Sequence, residues 1–223
     1  MSFERLFNPN AIAIIGASSD LTRISGQPIV ALKGAGFAQP IHLVNPKYNE
    51  LHDLKCYPSA AAIGSPVDLA LIAVPAKGVA DAIRDCGKAG IPFAIVLTAG
   101  FREGGPEGRK LEDDLLRAAR ESGVRVIGPN CQGALSVPSR MWCVFGSVSQ
   151  ETQLREGPVS CAFQSGGFGY AVVNMAEAQG LGFRHVVSTG NETDITMPEL
   201  LGEFLDDPGT KLAFAYMEGT PNA

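Results

Sequence analysis

Short apolar runs alternate with stretches of helical periodicity along the first half of the chain. Segments 11–15, 41–45, 69–74, 93–98 and 124–127 are rich in Ile, Val, Leu and Ala and bounded by Gly, Pro or Asn. Runs this brief and branched predict strands of a buried parallel sheet. Between them, 78–89 and 108–122 read as helices. In the second, Leu111, Leu115, Leu116 and Ala119 fall at helical spacing, with Glu112, Asp113, Arg117 and Arg120 placed on the outer side. Parallel strands need crossover helices, so the alternation predicts a doubly wound α/β sheet.

Residues 134–158 lack this rhythm. They carry Pro138, Gly146, Gly157 and Pro158 and read as a linker or crossing loop. This sets a first domain over 1–140, a linker over 141–156 and a second domain over 157–223. In the latter the pattern restarts, with strands at 159–163, 183–188 and 211–217 and helices at 170–179 and 197–205. The second helix is closed by Asp206-Asp207-Pro208-Gly209, a run of turn formers. Three strands alone would leave open sheet edges, so this half reads as partial, needing further chain or a covering partner. The sequence is therefore expected to be a fragment of a longer polypeptide.

Composition narrows the function classes. A 45% hydrophobic and 18% charged content is that of a globular protein. A net charge of −5 argues against a binder of nucleic-acid backbone, which needs concentrated Lys and Arg. No window approaches the roughly 18 apolar residues of a membrane span, and the first five residues, MSFER, lack a signal-peptide layout. Five cysteines without CxxC spacing fit a reduced, cytoplasmic setting in which they pack the core. Cys131 is the one weighed as a reactive thiol, with packing the plainer reading. No metal-ligand spacing and no G-x-S-x-G elbow occurs, so metal and serine-hydrolase chemistry are set aside.

The chain has 26 glycines, and they gather after the apolar runs. Gly16-Ala17-Ser18 follows the first strand, where open α/β sheets bind ligands. The full G-x-G-x-x-G is absent, and the second strand ends in Asn45-Pro46-Lys47, with a lysine where NAD enzymes place an acid. Lysine favours an extra phosphate, as in NADP or the 3′-phosphate of coenzyme A; an NAD site or an ordinary tight turn remains the plain alternative. Three more strands end in Val74-Pro75-Ala76, Thr98-Ala99-Gly100-Phe101 and Gly128-Pro129-Asn130. Small residues and turn formers at one rim let backbone approach a long, thin ligand. Farther on, Gln164-Ser165-Gly166-Gly167 opens a helix, an arrangement suited to an anion.

Together with Ile14-Ile15, Ser188-Thr189-Gly190-Asn191 and Tyr216-Met217-Glu218-Gly219, these motifs resemble the ADP-forming (NDP-forming) acyl-CoA synthetases, relatives of the succinyl-CoA synthetase α-subunit. The resemblance covers nearly the whole chain. It implies a Rossmann-like CoA-binding domain followed by part of a flavodoxin-like domain, and the reaction acid + CoA + ATP = acyl-CoA + ADP + phosphate, relayed through acyl phosphate and phosphohistidine. It further implies that Gly16, Ala17, Ser18 and Lys47 hold the ADP-like end of CoA, while Val74, Pro75, Ala76, Thr98, Ala99, Gly100 and Phe101 line the pantetheine arm. Asn130 would face the thiol end. Gln164, Ser165, Gly166, Gly167, Gly190 and Asn191 would lie by the phosphoryl site, with Glu218 steadying the phosphorylated imidazole. Arg23 is a phosphate contact on charge and position only.

The family's histidine falls beyond Ala223, and His42, His52 and His185 do not take its place; His185 reads as structural. ATP or ADP and Mg²⁺ would bind an ATP-grasp domain or subunit outside this chain, in an oligomer, so the chain alone is expected to bind CoA without completing the reaction. A CoA- or acyl-CoA-sensing regulatory domain of a protein acetyltransferase is the alternative, with an NADP-dependent oxidoreductase below it. The acyl group is not readable from these residues.

Overall fold

The computed structural model describes residues 3–150 and 154–219. A short helix α1 (Glu4–Phe7) leads into strand β1 (Ile12–Ile15), followed by α2 (Gln27–Ala35), β2 (Ile41–Val44), a hairpin of β3 (Glu50–Leu51) and β4 (Leu54–Tyr57), and β5 (Leu69–Ile72). Then come α3 (Val79–Lys88), β6 (Phe93–Val96), α4 (Pro106–Ser122) and β7 (Arg125–Ile127). These seven strands form one sheet in the order β3-β4-β2-β1-β5-β6-β7. It is parallel except at the β3–β4 hairpin. Every residue of β1, β5 and β6 is buried, which is why those segments are apolar without alternation. The chain leaves β1 to one side for β2 and returns to the other side for β5. Strand order therefore reverses between the carboxyl ends of β1 and β5, where a crevice opens.

Helices α1 and α2 and the β3–β4 hairpin have no counterpart in the sequence expectation. Helix α2 contains Pro28 and Gly34; its buried residues Pro28, Ile29, Ala31, Leu32 and Ala35 share one face, but the exposed face carries Val30 and Gly34 beside Lys33, so no polar stripe marks it. It ends at Gly36 with φ 76°, a left-handed cap. One polarity assignment also changes: Glu112, placed outside α4 by spacing, is only 6% exposed.

The second half contradicts the irregular reading of 134–158. Strands β8 (Gly133–Ser136) and β9 (Met141–Val144) form an antiparallel hairpin, wholly buried, through a turn in which Arg140 has φ 55°. Each run is only four residues long and Pro138 sits between them, which hid the pattern. The segment expected as a linker thus carries β9, as well as buried Val148 and Ser149. After it come β10 (Glu156–Phe163), α5 (Gly166–Glu177), β11 (Phe183–Ser188), α6 (Met197–Asp206) and β12 (Leu212–Tyr216). The second sheet has five strands in the order β12-β10-β11-β8-β9. β10 pairs in parallel with β11 and β12, while β8 runs antiparallel to β11. The hairpin covers one edge that three strands would have left open, and β12 forms the other.

One buried cluster runs through both halves, joining Ile12, Leu43 and Leu69 of the first sheet to Ala134, Cys143, Ala162, Val187 and Leu200. A second lies between the first sheet and α3 and α4. A third packs Ala31 and Ala35 of α2 against Trp142, Val144 and Cys161. Polar contacts reinforce the join. Arg125 on β7 donates from Nε to Asp194 at 3.0 Å and makes a fork to both Glu199 oxygens at 2.9 Å. The amide of Val126 also donates to Asp194, at 2.7 Å.

Candidate functional site

At the β1 end of the crevice, Gly16 turns the chain with φ 89°; a Cβ there would lie 2.9 Å from the Ala73 carbonyl and from Val74 Cγ1. Only glycine fits, both for conformation and for this close approach. No helix opens at this turn, because α2 begins only at Gln27. The amides of Gly16 and Ala17 donate to the Val44 carbonyl at 2.8 and 3.3 Å, so they brace the rim. Asn45 Nδ2 donates to the Ala17 carbonyl at 2.9 Å, and His52 Nε2 lies 2.9 Å from the Ser18 carbonyl. Lys47 is exposed in a turn whose amide donates to Asn45 Oδ1 at 3.0 Å.

Next to this rim lies a cleft of about 1010 Å³ that crosses from the first half to the second. Its walls include Val74, Pro75, Thr98, Ala99, Asn130, Gln164, Ser165, Gly166, Gly167 and Glu218, residues separated by long stretches of sequence. Thr98 Oγ1 donates to the Val74 carbonyl at 2.6 Å and ties two adjacent strand ends together. The Asn130 amide donates to the Thr98 carbonyl at 2.9 Å and holds Asn130 at φ 58°. Gly16, Ala17, Ser18, Lys47, Ala76, Gly100, Phe101, Gly190 and Asn191 are not in that lining. Phe101 is fully buried in the core beside α3 and α4.

The second half contributes the start of α5. Ser165 is its N-cap but its side chain makes no capping bond, so the first helical amides are not capped from within. A Cβ on Gly166 would meet Gln132 side-chain carbons at 2.7 Å and Ser188 Oγ at 2.8 Å, whereas one on Gly167 would meet nothing within 4 Å. Alanine normally favours a helix over glycine by up to about 1 kcal/mol. Here Gly166→Ala is expected instead to destabilise by about 1–3 kcal/mol through overpacking, read as a lower urea midpoint. Gly167→Ala should leave that midpoint at or above the parent's.

Asn191, from the loop after β11, lies behind the cleft wall, its Oδ1 accepting from Asn130 Nδ2 at 3.3 Å. Its Nδ2 donates to Glu103 Oε2 at 2.7 Å and to Glu112 Oε2 at 3.1 Å. Glu103 in turn accepts the amides of Gly100 and Phe101 at 2.6 and 3.0 Å. Burial pushes the Glu103 pKa up, but the bonds from Asn191, Phe101 and Gly100 outweigh it and hold it below the ordinary value. Glu112 also accepts the Arg102 amide at 3.0 Å and the Thr193 hydroxyl, and it pairs with Arg102 at 3.2 Å. Glu103 and Glu112 thus clamp a loop of the second half to the end of β6.

Residues 10–136 match the family described as the CoA binding domain. The chain belongs to that family. Residues 156–223 match the succinyl-CoA ligase like flavodoxin domain. Acetate–CoA ligase [ADP-forming] I of Archaeoglobus fulgidus is 38% identical over 97% of this chain and 31% of its own length. Acetate–CoA ligase [ADP-forming] I subunit alpha of Pyrococcus furiosus is 37% identical over 98% of this chain and 47% of its own. Among solved structures, the dinucleotide-forming acetyl-coenzyme A synthetase 1 of Ca. Korarchaeum cryptofilum, in complex with phosphate and ADP, superposes with a TM-score of 0.91 at 40% identity, over 98% of this chain and 46% of that one. The chain therefore spans between about a third and a half of these relatives, and the order of its two matched segments bears out the resemblance to the ADP-forming acyl-CoA synthetases.

In this CoA-binding fold the cleft includes residues that no motif marked: Thr22, Ile24, Ser25 and Phe145 join Arg23 and Gln132, the latter from the rim segment after β7, on its walls. They sit in loops before α2 and after Asn130 and β9, and only the tertiary structure brings them together. Arg23 is 74% exposed at its side chain and pairs with Asp20 at 3.5 Å. Cys131 is buried, its Sγ lies 3.4 Å from the Val96 carbonyl, and burial pushes its thiol up to about 12, which leaves no thiolate for chemistry. His185 lies away from the cleft, stacked on Phe7 at 4.3 Å and hydrogen-bonded to Asp207 at 3.2 Å.

Proposed function

We propose that this chain is the CoA-binding portion of an ADP-forming acyl-CoA synthetase, which converts acid, CoA and ATP to acyl-CoA, ADP and phosphate through acyl phosphate and phosphohistidine. The observation that carries the reading is the single cleft running from the strand ends at Val74-Pro75 and Thr98-Ala99 to the uncapped start of α5 and Glu218. Its first part suits a long ligand: the strand ends there present the small residues Ala73, Pro75, Thr98 and Ala99, and Pro75 has no N–H to satisfy. Its second part suits a phosphoryl group, since a helix start offers amide donors and a partial positive charge. Gly16, Ala17, Ser18 and Lys47 would take the ADP-like end of CoA at the adjoining rim. Ala76, Gly100 and Phe101 would act by shaping the strand ends, and Asn130 would face the thiol. Gly190 and Asn191 would hold the phosphoryl-side loop in register with β6. Glu218 would accept a hydrogen bond from an imidazole N–H and fix its tautomer.

On this reading the nucleotide, Mg²⁺ and the phosphohistidine come from elsewhere in the complete enzyme, through an ATP-grasp domain or subunit. The relatives named for acetate make a small carboxylic acid the first substrate to try. Calorimetric titration of this chain with CoA and NADPH tests the ligand. CoA should bind and NADPH should not, and Lys47→Ala should weaken CoA by about tenfold if its ammonium meets a phosphate. NADPH binding without CoA binding overturns the reading, and an unchanged affinity removes Lys47 from the site.

A further inference from the structure

Gln164 follows β10 and extends the β10–β12 ladder, its amide donating to the Tyr216 carbonyl at 3.1 Å. Its side chain then reaches along the chain that leaves β12. The carboxamide oxygen accepts the amides of Glu218 at 2.6 Å and Gly219 at 3.0 Å, while Nε2 donates to the Gly219 carbonyl at 2.8 Å. β12 is the edge strand, so no neighbouring strand among the described residues holds this segment on its outer side. The oxygen of Gln164 has spent both lone pairs and one of its two N–H donors is engaged.

We infer that Gln164 is a positioning residue, which sets the Glu218 carboxylate at the mouth of the α5 start and does not itself bind the anion. This rests on the reading that Glu218 serves the phosphoryl step. The role needs an acceptor and a donor on one planar group. Glutamine supplies both. Ionised glutamate supplies acceptors only and faces the Gly219 carbonyl unfavourably, whereas protonated glutamate restores the donor. A residue that merely filled space would show no such dependence on protonation.

The test uses the complete enzyme that contains this chain, assayed for ATP formation from acetyl-CoA, ADP and phosphate. Gln164→Ala should lower kcat about 10- to 100-fold, the scale of a misplaced catalytic group, with KM for acetyl-CoA within about twofold of the parent. Glu218→Gln should be impaired at least as much, and adding Gln164→Ala to it should cost little more, because both changes remove one function. Gln164→Glu should recover activity relative to the parent as pH falls. In amide exchange, Glu218 and Gly219 should lose protection in Gln164→Ala while the melting temperature stays near the parent's.

Wild-type kcat in Gln164→Ala with Glu218→Gln impaired overturns the positioning role alone. Full activity in Glu218→Gln overturns that role together with the assignment of Glu218. A parent enzyme without turnover overturns the proposed function and this inference with it. Should Gln164→Ala fail to fold, the pH profile of Gln164→Glu decides, and a profile parallel to the parent's counts against the inference.

Discussion

Arg125→Ala is expected to lower the unfolding free energy by about 2–3 kcal/mol. The guanidinium forks onto Glu199 and also meets Asp194, which itself caps the Val126 amide. Removing one partner of a buried charge group costs about 3–5 kcal/mol, because the remaining carboxylates lose their compensation. The Arg125 side chain is 30% exposed, so water relieves part of that and the lower figure applies. Arg125→Lys keeps the charge but not the fork and should fall between the two. Urea unfolding followed by circular dichroism gives the number, and a loss under about 0.5 kcal/mol would mean that the Arg125 cluster adds little to the join between the halves.

Acid should weaken the fold by a comparable amount, beginning above the range in which ordinary carboxylates titrate. Burial holds the His185 imidazole down to about 4, and its bond to Asp207 only partly offsets this. An unfolded chain protonates its histidines near the ordinary value of about 6.5. Between those limits the unfolded state binds the extra proton and the folded state does not, so stability is full above about 6.5 and falls as pH drops toward 4. A shift of this size corresponds to about 3 kcal/mol at most. Asp207 extends the effect downward: although burial raises its pKa, its bonds from Arg184 outweigh this and hold it at about 2, so its contribution is lost as pH falls below about 3.8. His185→Gln should flatten the slope of unfolding free energy between pH 6.5 and 4. An equally steep slope in that variant would assign the acid sensitivity to other groups.

Strands β1, β2, β5, β6 and β7 were legible because burial demands branched apolar runs, and the glycines and prolines at their ends marked the rim, whereas the short, partly exposed β3–β4 hairpin was not. Helix α2 was not, since its exposed face holds Val30 and Gly34 with a single lysine and so shows no amphipathic stripe. The β8–β9 hairpin was lost for want of length: four-residue strands around Pro138 look like loop until the rest of the sheet is present. At the candidate site, strand-end residues and Arg23 could be picked out as candidates, but Thr22, Ile24, Ser25 and Phe145 carry no local signature and enter the cleft only through packing. Glu112 shows the limit of periodicity, because its burial is decided by Thr193, Asn191 and Arg102, none of which lies on its own helix.

The hairpin at 133–144 also bears on how such a chain can be recombined. Its strands complete the second sheet, yet Trp142 and Val144 lie in one core with Ala31 and Ala35 of the first half. A crossover between two homologous genes near codon 140 would split β8 from β9 and set one parent's helix against the other parent's strand. One beyond codon 154 keeps the hairpin with its helix but breaks the sheet's inheritance at β10 and β11. Substitutions on α2 and β9 are therefore expected to be inherited together, as if they belonged to one exon.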